Sequence, residues 1–247
     1  MPASSAYDAT LSILTLKFMN NRLKFWQIPL TQPCFLCGAI NREGVFCGAC
    51  DSSLPYLTQP HCPVCALPVP SGEICGRCIQ HPPPFARTVA AFAYTFPLDK
   101  LIQALKYAEQ LQLVNHLADK LTARVATRPD CLLPMPLHPS RLRERGFNQS
   151  LELARRVGRN LDIPVLTNVC ERVRDTPPQA ALQWKERGKN MRRAFACNQD
   201  LSGKSVAVVD DVMTSGASLT EMALTLRTAG ALEVNTWVLA RTLPHAG

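Results

Sequence analysis

The chain has 247 residues, of which 47% are hydrophobic and 19% are charged, so a packed core is feasible and general disorder is excluded. No run of eighteen apolar residues occurs, which excludes a membrane-spanning helix. The net charge is +8, and residues 141–193 carry 13 Lys and Arg against 6 Asp and Glu. This concentration of positive charge favours a polyanionic partner, either a pyrophosphate-bearing small molecule or a nucleic acid backbone.

The first segment, residues 1–33, is predicted to be amphipathic. An apolar stripe between Leu11 and Met19 is typical of a helix that packs on the body of a protein. Lys17 interrupts this stripe and no small-residue cleavage site follows, which disfavours a secretory signal. We therefore expect a cytoplasmic protein, and binding of this helix to a membrane surface or a partner is the alternative interpretation.

Residues 34–80 contain eight cysteines that form an internal repeat. Each set has two C-x2-C pairs separated by nine residues, and the second set follows the first by 28 residues. The cysteines are Cys34, Cys37, Cys47, Cys50, Cys62, Cys65, Cys75 and Cys78. This spacing favours two structural zinc sites, each with four cysteine ligands, over disulfides, and it leaves no coordination position for a substrate. Pairing in sequence order is the simplest arrangement, and an interleaved cross-brace is the alternative.

Strands and helices alternate beyond Pro82-Pro83-Pro84, which predicts a stiff linker. Strands are predicted over residues 89–96 and 131–133, and helices over residues 98–107 and 111–125. The alternation predicts an α/β fold with a parallel sheet and flanking helices in residues 85–247.

An arginine-rich stretch, residues 134–149, follows the second of these strands. Arg141, Arg143 and Arg145 stand two residues apart, and Asn148 is a suitable N-cap for the next helix. Guanidinium groups bind phosphate oxygens through two parallel hydrogen bonds. A solvated turn is the alternative interpretation of the three arginines.

The most informative stretch is residues 206–218. Residues 206–209 predict a buried parallel strand, and Asp210 and Asp211 follow at its carboxyl end, where open α/β sheets bind ligands. A turn with three hydroxyl side chains and Gly216 comes next, and its position before a helix predicts a phosphate cradle. The two acids suit either ribose hydroxyls or Mg²⁺.

A helix is predicted to start directly after this turn. Ser218 and Glu221 have the spacing of a capping box, and Gly230 is a suitable stop. We therefore expect the Ser218 side chain to cap the helix.

This stretch resembles the phosphoribosyl-pyrophosphate (PRPP) loop of type I phosphoribosyltransferases. The resemblance implies that Asp210 and Asp211 hold the 2- and 3-hydroxyls of the ribose and that the turn wraps the 5-phosphate. The turn residues are Thr214, Ser215, Gly216, Ala217 and Ser218. Thr214 stands where purine-type relatives carry a proton-accepting aspartate, so purine salvage is not expected and the acceptor is open.

Several motifs, taken in order, resemble the ComF/GntX family from about Cys34 to Arg241. Besides the cysteine repeat they are Leu105-Lys106-Tyr107, Arg145-Gly-Phe-Asn-Gln149, Arg174-Asp-Thr-Pro-Pro-Gln179, Arg187 with Asn190 and Phe195, and Asp210-Asp211-Val-Met-Thr-Ser-Gly216. The resemblance implies two domains after the amphipathic segment 1–33: a double zinc ribbon over 34–80 and a type I phosphoribosyltransferase-like domain over 85–247.

The same resemblance implies two further loops in that domain. Residues 134–147 are similar to the pyrophosphate loop, and residues 174–193 are similar to a flexible loop that closes over PRPP. Candidate contacts in the flexible loop are Gln179, Trp184, Lys185 and Arg187.

By this resemblance the protein binds PRPP with Mg²⁺ and transfers its phosphoribosyl group to an unidentified acceptor, with a role in DNA uptake, transformation or use of external DNA as a nutrient. The implied catalytic residues are Asp210, Asp211, Arg141, Arg143 and Arg145, and Lys106, Arg187 and the turn 214–218 are implied to bind PRPP. Two alternatives are a non-catalytic PRPP-responsive regulator and a zinc-ribbon adaptor that binds single-stranded DNA and DNA-processing proteins.

Overall fold

The computed structural model describes residues 31–107, 111–175 and 191–244. Most of the amphipathic segment 1–33 and the candidate contacts Gln179, Trp184, Lys185 and Arg187 lie outside these residues. The chain divides into two compact units, residues 1–52 and residues 53–247. No helix within the described residues is long and apolar enough to cross a membrane.

The first unit is built around the first cysteine set. Strands β1 (Gln32–Pro33) and β2 (Ile40–Asn41) pair in an antiparallel manner, and helix α1 (Gly48–Ser52) follows. Phe46 is buried and its ring meets that of Phe35 edge to face. Among residues 31–52, the part of this unit that the structure describes, only Cys34 and Phe46 are buried, so we expect metal binding to supply much of the folding energy there.

The second unit contains the second cysteine set and an α/β body. Its elements are α2 (Gly76–Gln80), β3 (Arg87–Ala93), α3 (Leu98–Tyr107), α4 (Leu111–Thr122), β4 (Cys131–Pro134), α5 (Pro139–Arg145), α6 (Gln149–Leu161), β5 (Cys170–Arg172), β6 (Phe195–Cys197), β7 (Ser205–Met213), α7 (Ala217–Thr228) and β8 (Glu233–Arg241). The second cysteine set and the sheet therefore belong to one compact unit.

Four strands form a parallel sheet in the order β3-β8-β7-β4. Residues 206–209 of β7 are fully buried, because helices cover both faces of a parallel sheet. The predicted fold class, a parallel α/β sheet with flanking helices preceded by a small zinc-ribbon region, is confirmed.

The interior strand β8 is the main element that was not predicted from the sequence. It lies between β3 and β7, and residues 234–241 are buried throughout, with Trp237 fully buried. Its partner β7 is longer than predicted and extends to Met213, because β8 continues to pair with it. Asp210 and Asp211 therefore lie within the strand.

The start of α7 corrects the predicted capping box. The helix begins at Ala217, and its N-cap is Gly216, which has a φ of 83° and no side-chain cap. Glu221 instead accepts a hydrogen bond from the backbone N–H of Arg193. The capping interpretation of Ser218 and Glu221 is wrong because the positive φ at Gly216 starts the helix earlier.

Gly158 of helix α6 lies close to residues 163–165, which follow the helix and pair with β4 at Leu132. A Cβ atom at this position would lie 2.6 Å from Cγ2 of Val165 and 2.8 Å from the backbone oxygen of Ile163. A backbone oxygen cannot move away as readily as the end of a long side chain, so the return of the chain after α6 requires glycine at this position.

We expect Gly158→Ala to destabilise the protein by about 1–3 kcal/mol through overpacking, although alanine has the better helix propensity. Urea unfolding followed by circular dichroism measures the effect. Arg159→Ala, at the next and exposed position of α6, is the matched control and should change stability little. Equal stability of the two variants would contradict the close approach.

Candidate functional site

Asp210 and Asp211 lie near the carboxyl end of β7, where side chains from α3 and α6 meet them. Asp211 is buried, and its Oδ2 accepts hydrogen bonds from Nζ of Lys106 at 2.9 Å and from Nε2 of Gln149 at 3.3 Å. Oδ1 of Asp210 accepts a hydrogen bond from Oγ of Ser150 at 3.0 Å. Donors distant in sequence therefore hold both carboxylates in fixed orientations.

The acid pair and Lys106 form a coupled charge cluster. Burial, together with the charge of Asp211, raises the pKa of Asp210 to about 7. Burial alone would lower the pKa of Lys106, but the charge of Asp211 and its hydrogen bond raise that pKa above its usual value. Lys106 and Asp211 thus form an ion pair, while the raised pKa of Asp210 favours its protonated form more than in an exposed carboxyl.

The N-terminus of α6 positions two of these donors. Asn148 is the N-cap, as predicted, since its side chain accepts a hydrogen bond from the backbone N–H of Ser150. Its Nδ2 also donates to the backbone oxygen of Met135 at 3.0 Å. Gln149 and Ser150 follow directly, and both side chains are buried against the acid pair.

The predicted arginine loop contains the short helix α5. Arg141 and Arg145 share one face of it and are half-buried, whereas Arg143 is exposed. Nη1 of Arg145 donates to Oε1 of Gln149 at 3.2 Å, which links this helix to Asp211 through one side chain. The structure thus brings Arg145 to the acid pair and leaves Arg143 at the surface.

The turn 214–218 connects the acid pair to α7. The backbone N–H of Ala217 donates to Oγ of Ser215 at 3.3 Å. Gly216 has a φ of 83°, a conformation that favours glycine, and a Cβ atom there would lie 2.9 Å from Cε of Met213, so this side chain would have to move. The turn places the positive end of the α7 dipole next to the acids.

Several contacts of this site were missed by sequence reasoning. Gln149 and Ser150 stand beside the predicted N-cap, but nothing in their spacing indicates that they reach β7. Arg172 lies on β5, and burial lowers its pKa while the nearby charges of Asp210 and Arg141 act on it in opposite directions. A single arginine in a short strand carries no signal of this proximity.

The two cysteine sets each bring four sulfurs together in sequence order. All ligand atoms within a set lie within 4.8 Å of one another. Sγ of Cys37 lies 3.8 Å from Sγ of Cys47, and Sγ of Cys65 lies 3.7 Å from Sγ of Cys75. A regular tetrahedron with Zn–S bonds of about 2.3 Å has edges of about 3.8 Å, so both sets fit structural zinc.

Matching hydrogen bonds support the same conclusion. The backbone N–H of Cys47 donates to Sγ of Cys34 at 3.4 Å, and that of Cys75 donates to Sγ of Cys62 at 3.4 Å. Such donors stabilise thiolates bound to a metal. The two sites are therefore structural repeats of each other, paired in sequence order.

Comparison with known proteins identifies the class of the chain. Residues 26–79 match the model of the double zinc ribbon domain. DNA utilization protein YhgH of Escherichia coli (strain K12) is 35% identical over 228 residues, covering 87% of this chain and 100% of the relative. Competence protein F of Haemophilus influenzae is 34% identical over 207 residues, covering 79% of this chain and 84% of the relative. The chain therefore belongs to the ComF/GntX family.

The structural comparison gives weaker matches. A glutamine phosphoribosylpyrophosphate (PRPP) amidotransferase from B. subtilis, solved with ADP and GMP, matches with a TM-score of 0.35 and 22% identity. The match covers 51% of this chain and 25% of that chain. The family assignment rests on the sequence relatives alone.

Metal analysis tests the zinc pairing. We expect the wild type to hold two zinc ions and the variant Cys34→Ser/Cys47→Ser to hold one, because sequential pairing puts both cysteines in the first site and leaves the second site complete. Cys62→Ser/Cys75→Ser is the matched variant in the other site. Loss of both ions from either variant would instead indicate interleaved ligands, because each site would then lose one cysteine.

The pKa of Asp210 predicts a pH dependence of stability. Because folding raises this pKa from 3.8 to about 7, the folded protein keeps a proton that the unfolded chain loses between these pH values. The stability of the ligand-free protein should therefore fall from pH 4 to pH 7, by roughly 3 kcal/mol from this residue. Asp210→Asn removes this titration. The stability of the variant minus that of the wild type should therefore be more positive at pH 8 than at pH 4.

Urea unfolding at pH 4 and pH 8 measures this difference. Glu171→Gln, at an exposed position of β5, is the control and should follow the wild type at both values. A wild type and an Asp210→Asn variant with the same pH dependence would show that Asp210 is ionised like an exposed carboxylate.

Proposed function

We propose that the site at the carboxyl end of β7 binds PRPP with Mg²⁺ and that the protein transfers the phosphoribosyl group to an acceptor. The observation that carries this proposal is the order of chemical groups along the chain at the end of β7: the adjacent acids Asp210 and Asp211, the turn at Gly216, and the N-terminus of α7. A sugar that bears a phosphate needs acceptors for its hydroxyls and donors for its phosphate, in that sequence.

The acids suit the ribose hydroxyls. Hydroxyl donors favour the charged form of a carboxylate, so a bound ribose would lower the raised pKa of Asp210 and release its proton. The ion pair of Lys106 with Asp211 leaves an ammonium at the same place, from which it can reach an anionic oxygen of the ligand. Mg²⁺ would be held by the ligand's pyrophosphate oxygens with Asp210 or Asp211, and would neutralise charge on the leaving group.

The turn 214–218 suits the 5-phosphate. Backbone N–H groups at the start of a helix and the helix dipole both favour an anion, and hydroxyls of Thr214, Ser215 and Ser218 add donors. Gly216 has a positive φ, which disfavours any side chain at this position, and without a side chain the backbone can approach the ligand closely. This part of the site supplies binding and orientation rather than proton transfer.

The pyrophosphate side is formed by arginines. Arg141 and Arg145 share the half-buried face of α5, and Arg172 adds a third guanidinium close to Asp210. In the proposed reaction the bond from the sugar C1 to the pyrophosphate oxygen breaks, the acceptor bonds to C1, and the acceptor loses a proton. Positioning and stabilisation of the departing negative charge would be the main contribution of the protein.

The names of the relatives support a role connected with DNA. They are called DNA utilization and competence proteins, and we infer that this chain acts in the same kind of process. A regulator that binds PRPP without turnover, and an adaptor that binds single-stranded DNA, use the same fold. Pyrophosphate release that depends on an acceptor distinguishes the enzyme from the regulator, and DNA affinity that falls steeply with salt indicates the adaptor.

Isothermal titration calorimetry with PRPP and Mg²⁺ tests the site. We expect the zinc-loaded wild type to bind and Asp210→Ala/Asp211→Ala to bind at least about 100-fold more weakly, since hydrogen bonds to charged groups are worth about 1.5–3 kcal/mol each. Arg141→Ala should weaken binding about tenfold or more.

Arg143→Ala is the matched control, because it removes the same group from the exposed face of the same helix. It should change affinity much less than Arg141→Ala. A folded wild type that does not bind PRPP would exclude both the enzyme and the regulator. Equal effects of the two arginine variants would contradict the assigned pyrophosphate side.

A further inference from the structure

The knuckle formed by Cys62–Cys65 in the second cysteine set is hydrogen-bonded to the sheet through three successive backbone oxygens. The backbone N–H of Thr88 donates to the oxygen of Pro63 at 3.0 Å, and its hydroxyl donates to that of Val64 at 2.6 Å. Nε of Arg241 donates to the oxygen of Cys65 at 2.8 Å. The Cys62–Cys65 knuckle is thus joined directly to β3 and to the end of β8.

The same arginine also holds the start of the turn 214–218. Nη1 of Arg241 donates to the backbone oxygens of Met213, at 2.8 Å, and of Thr214, and to that of Thr242 at 3.0 Å. The side chain is only 2% exposed. One buried guanidinium therefore connects a zinc ligand to the residues where β7 ends and the turn begins.

A second contact follows the same route. The Thr88 hydroxyl lies 3.9 Å from Sδ of Met213, and the methyl group of Met213 lies where a side chain on Gly216 would have to be. The knuckle, Met213 and the turn are therefore packed in series. A shift of the knuckle would be transmitted to the turn through a side chain as well as through hydrogen bonds.

Charge supports the connection. Within the described residues no carboxylate pairs with Arg241, whose hydrogen bonds all go to neutral backbone oxygens. A buried cation is costly unless an opposite charge lies nearby. The like charge of Arg77 also acts on Arg241, which adds to the need for a nearby negative charge. A zinc ion with four thiolates has a net charge of −2, and two of these ligands, Cys65 and Cys78, lie close enough to act on Arg241.

We propose that the second zinc centre is a positioning element for the turn 214–218, and that Arg241 transmits its effect. The bound metal fixes the knuckle and balances the guanidinium, and Arg241 in turn fixes the backbone of Met213 and Thr214. Arg241 is thus a positioning residue, not a catalytic one. The consequence for PRPP rests on the proposed function, whereas the consequence for the order of the turn does not.

Hydrogen–deuterium exchange on the zinc-loaded full chain tests the proposal without a ligand. In Arg241→Met we expect amides of residues 212–219 to exchange about tenfold faster or more than in the wild type, because their backbone loses charge-assisted hydrogen bonds. Arg124→Met is the matched control, since Arg124 also donates to a backbone oxygen, that of Leu57, but has no bond to β7 or the turn within the described residues. It should leave exchange of residues 212–219 unchanged.

Loss of the metal provides a second test that keeps Arg241 intact and covers the case in which Arg241→Met fails to fold. Cys75→Ser/Cys78→Ser should speed exchange of residues 212–219, and Cys47→Ser/Cys50→Ser, which removes the equivalent ligands of the first site, should leave them protected. Unchanged exchange of residues 212–219 after loss of the second zinc would overturn the proposal, as would equal increases in the two variants.

PRPP titration of the same variants separates this inference from the proposed function. If the wild type binds PRPP, affinity should fall in Cys75→Ser/Cys78→Ser at least about tenfold more than in Cys47→Ser/Cys50→Ser. If the wild type does not bind PRPP, the proposed function fails, and the exchange data alone decide whether the zinc centre positions the turn. Weakened binding with unchanged exchange would contradict the route through Arg241.

Discussion

The site depends on one electrostatic constraint, the placement of two adjacent carboxylates near the end of a buried strand. Two negative charges in such surroundings are unstable unless donors or protons neutralise them. The chain does both, because Lys106, Gln149 and Ser150 donate to the pair and the pKa of Asp210 rises to about 7. Helices α3 and α6 therefore contact β7 through polar as well as apolar side chains.

Zinc binding provides a second constraint, which acts through metal–thiolate bonds. The cysteine regions have few large apolar side chains, so metal binding must contribute much of their folding free energy, on the order of 10 kcal/mol per site. The second centre lies in the same compact unit as the sheet, and the backbone oxygens of its knuckle accept hydrogen bonds from Thr88 and Arg241. We propose that the second zinc centre positions the turn 214–218 through these bonds, without itself contacting bound PRPP.

Local signals in the sequence predicted the local features of this protein. Cysteine spacing, the strand–acid–turn order of residues 206–218 and the Asn148 cap are each encoded within a few residues. The structure places them as expected apart from the helix start at Ala217 and the length of β7, which continues to Met213 and includes both acids. Contacts between distant residues were not predictable. Gln149 meets Asp211 and Arg241 meets Cys65 across 62 and 176 positions, and periodicity or capping rules carry no information over such separations.

A crystal structure of the zinc-loaded protein with PRPP and Mg²⁺ tests most directly whether the carboxyl end of β7 is a PRPP site. We expect the 5-phosphate on the backbone N–H groups of residues 214–218 and the ribose hydroxyls on Asp210 and Asp211, with Lys106 turned towards an anionic oxygen. PRPP bound elsewhere on the protein, or a site that stays empty at saturating PRPP while Lys106 remains on Asp211, would contradict it.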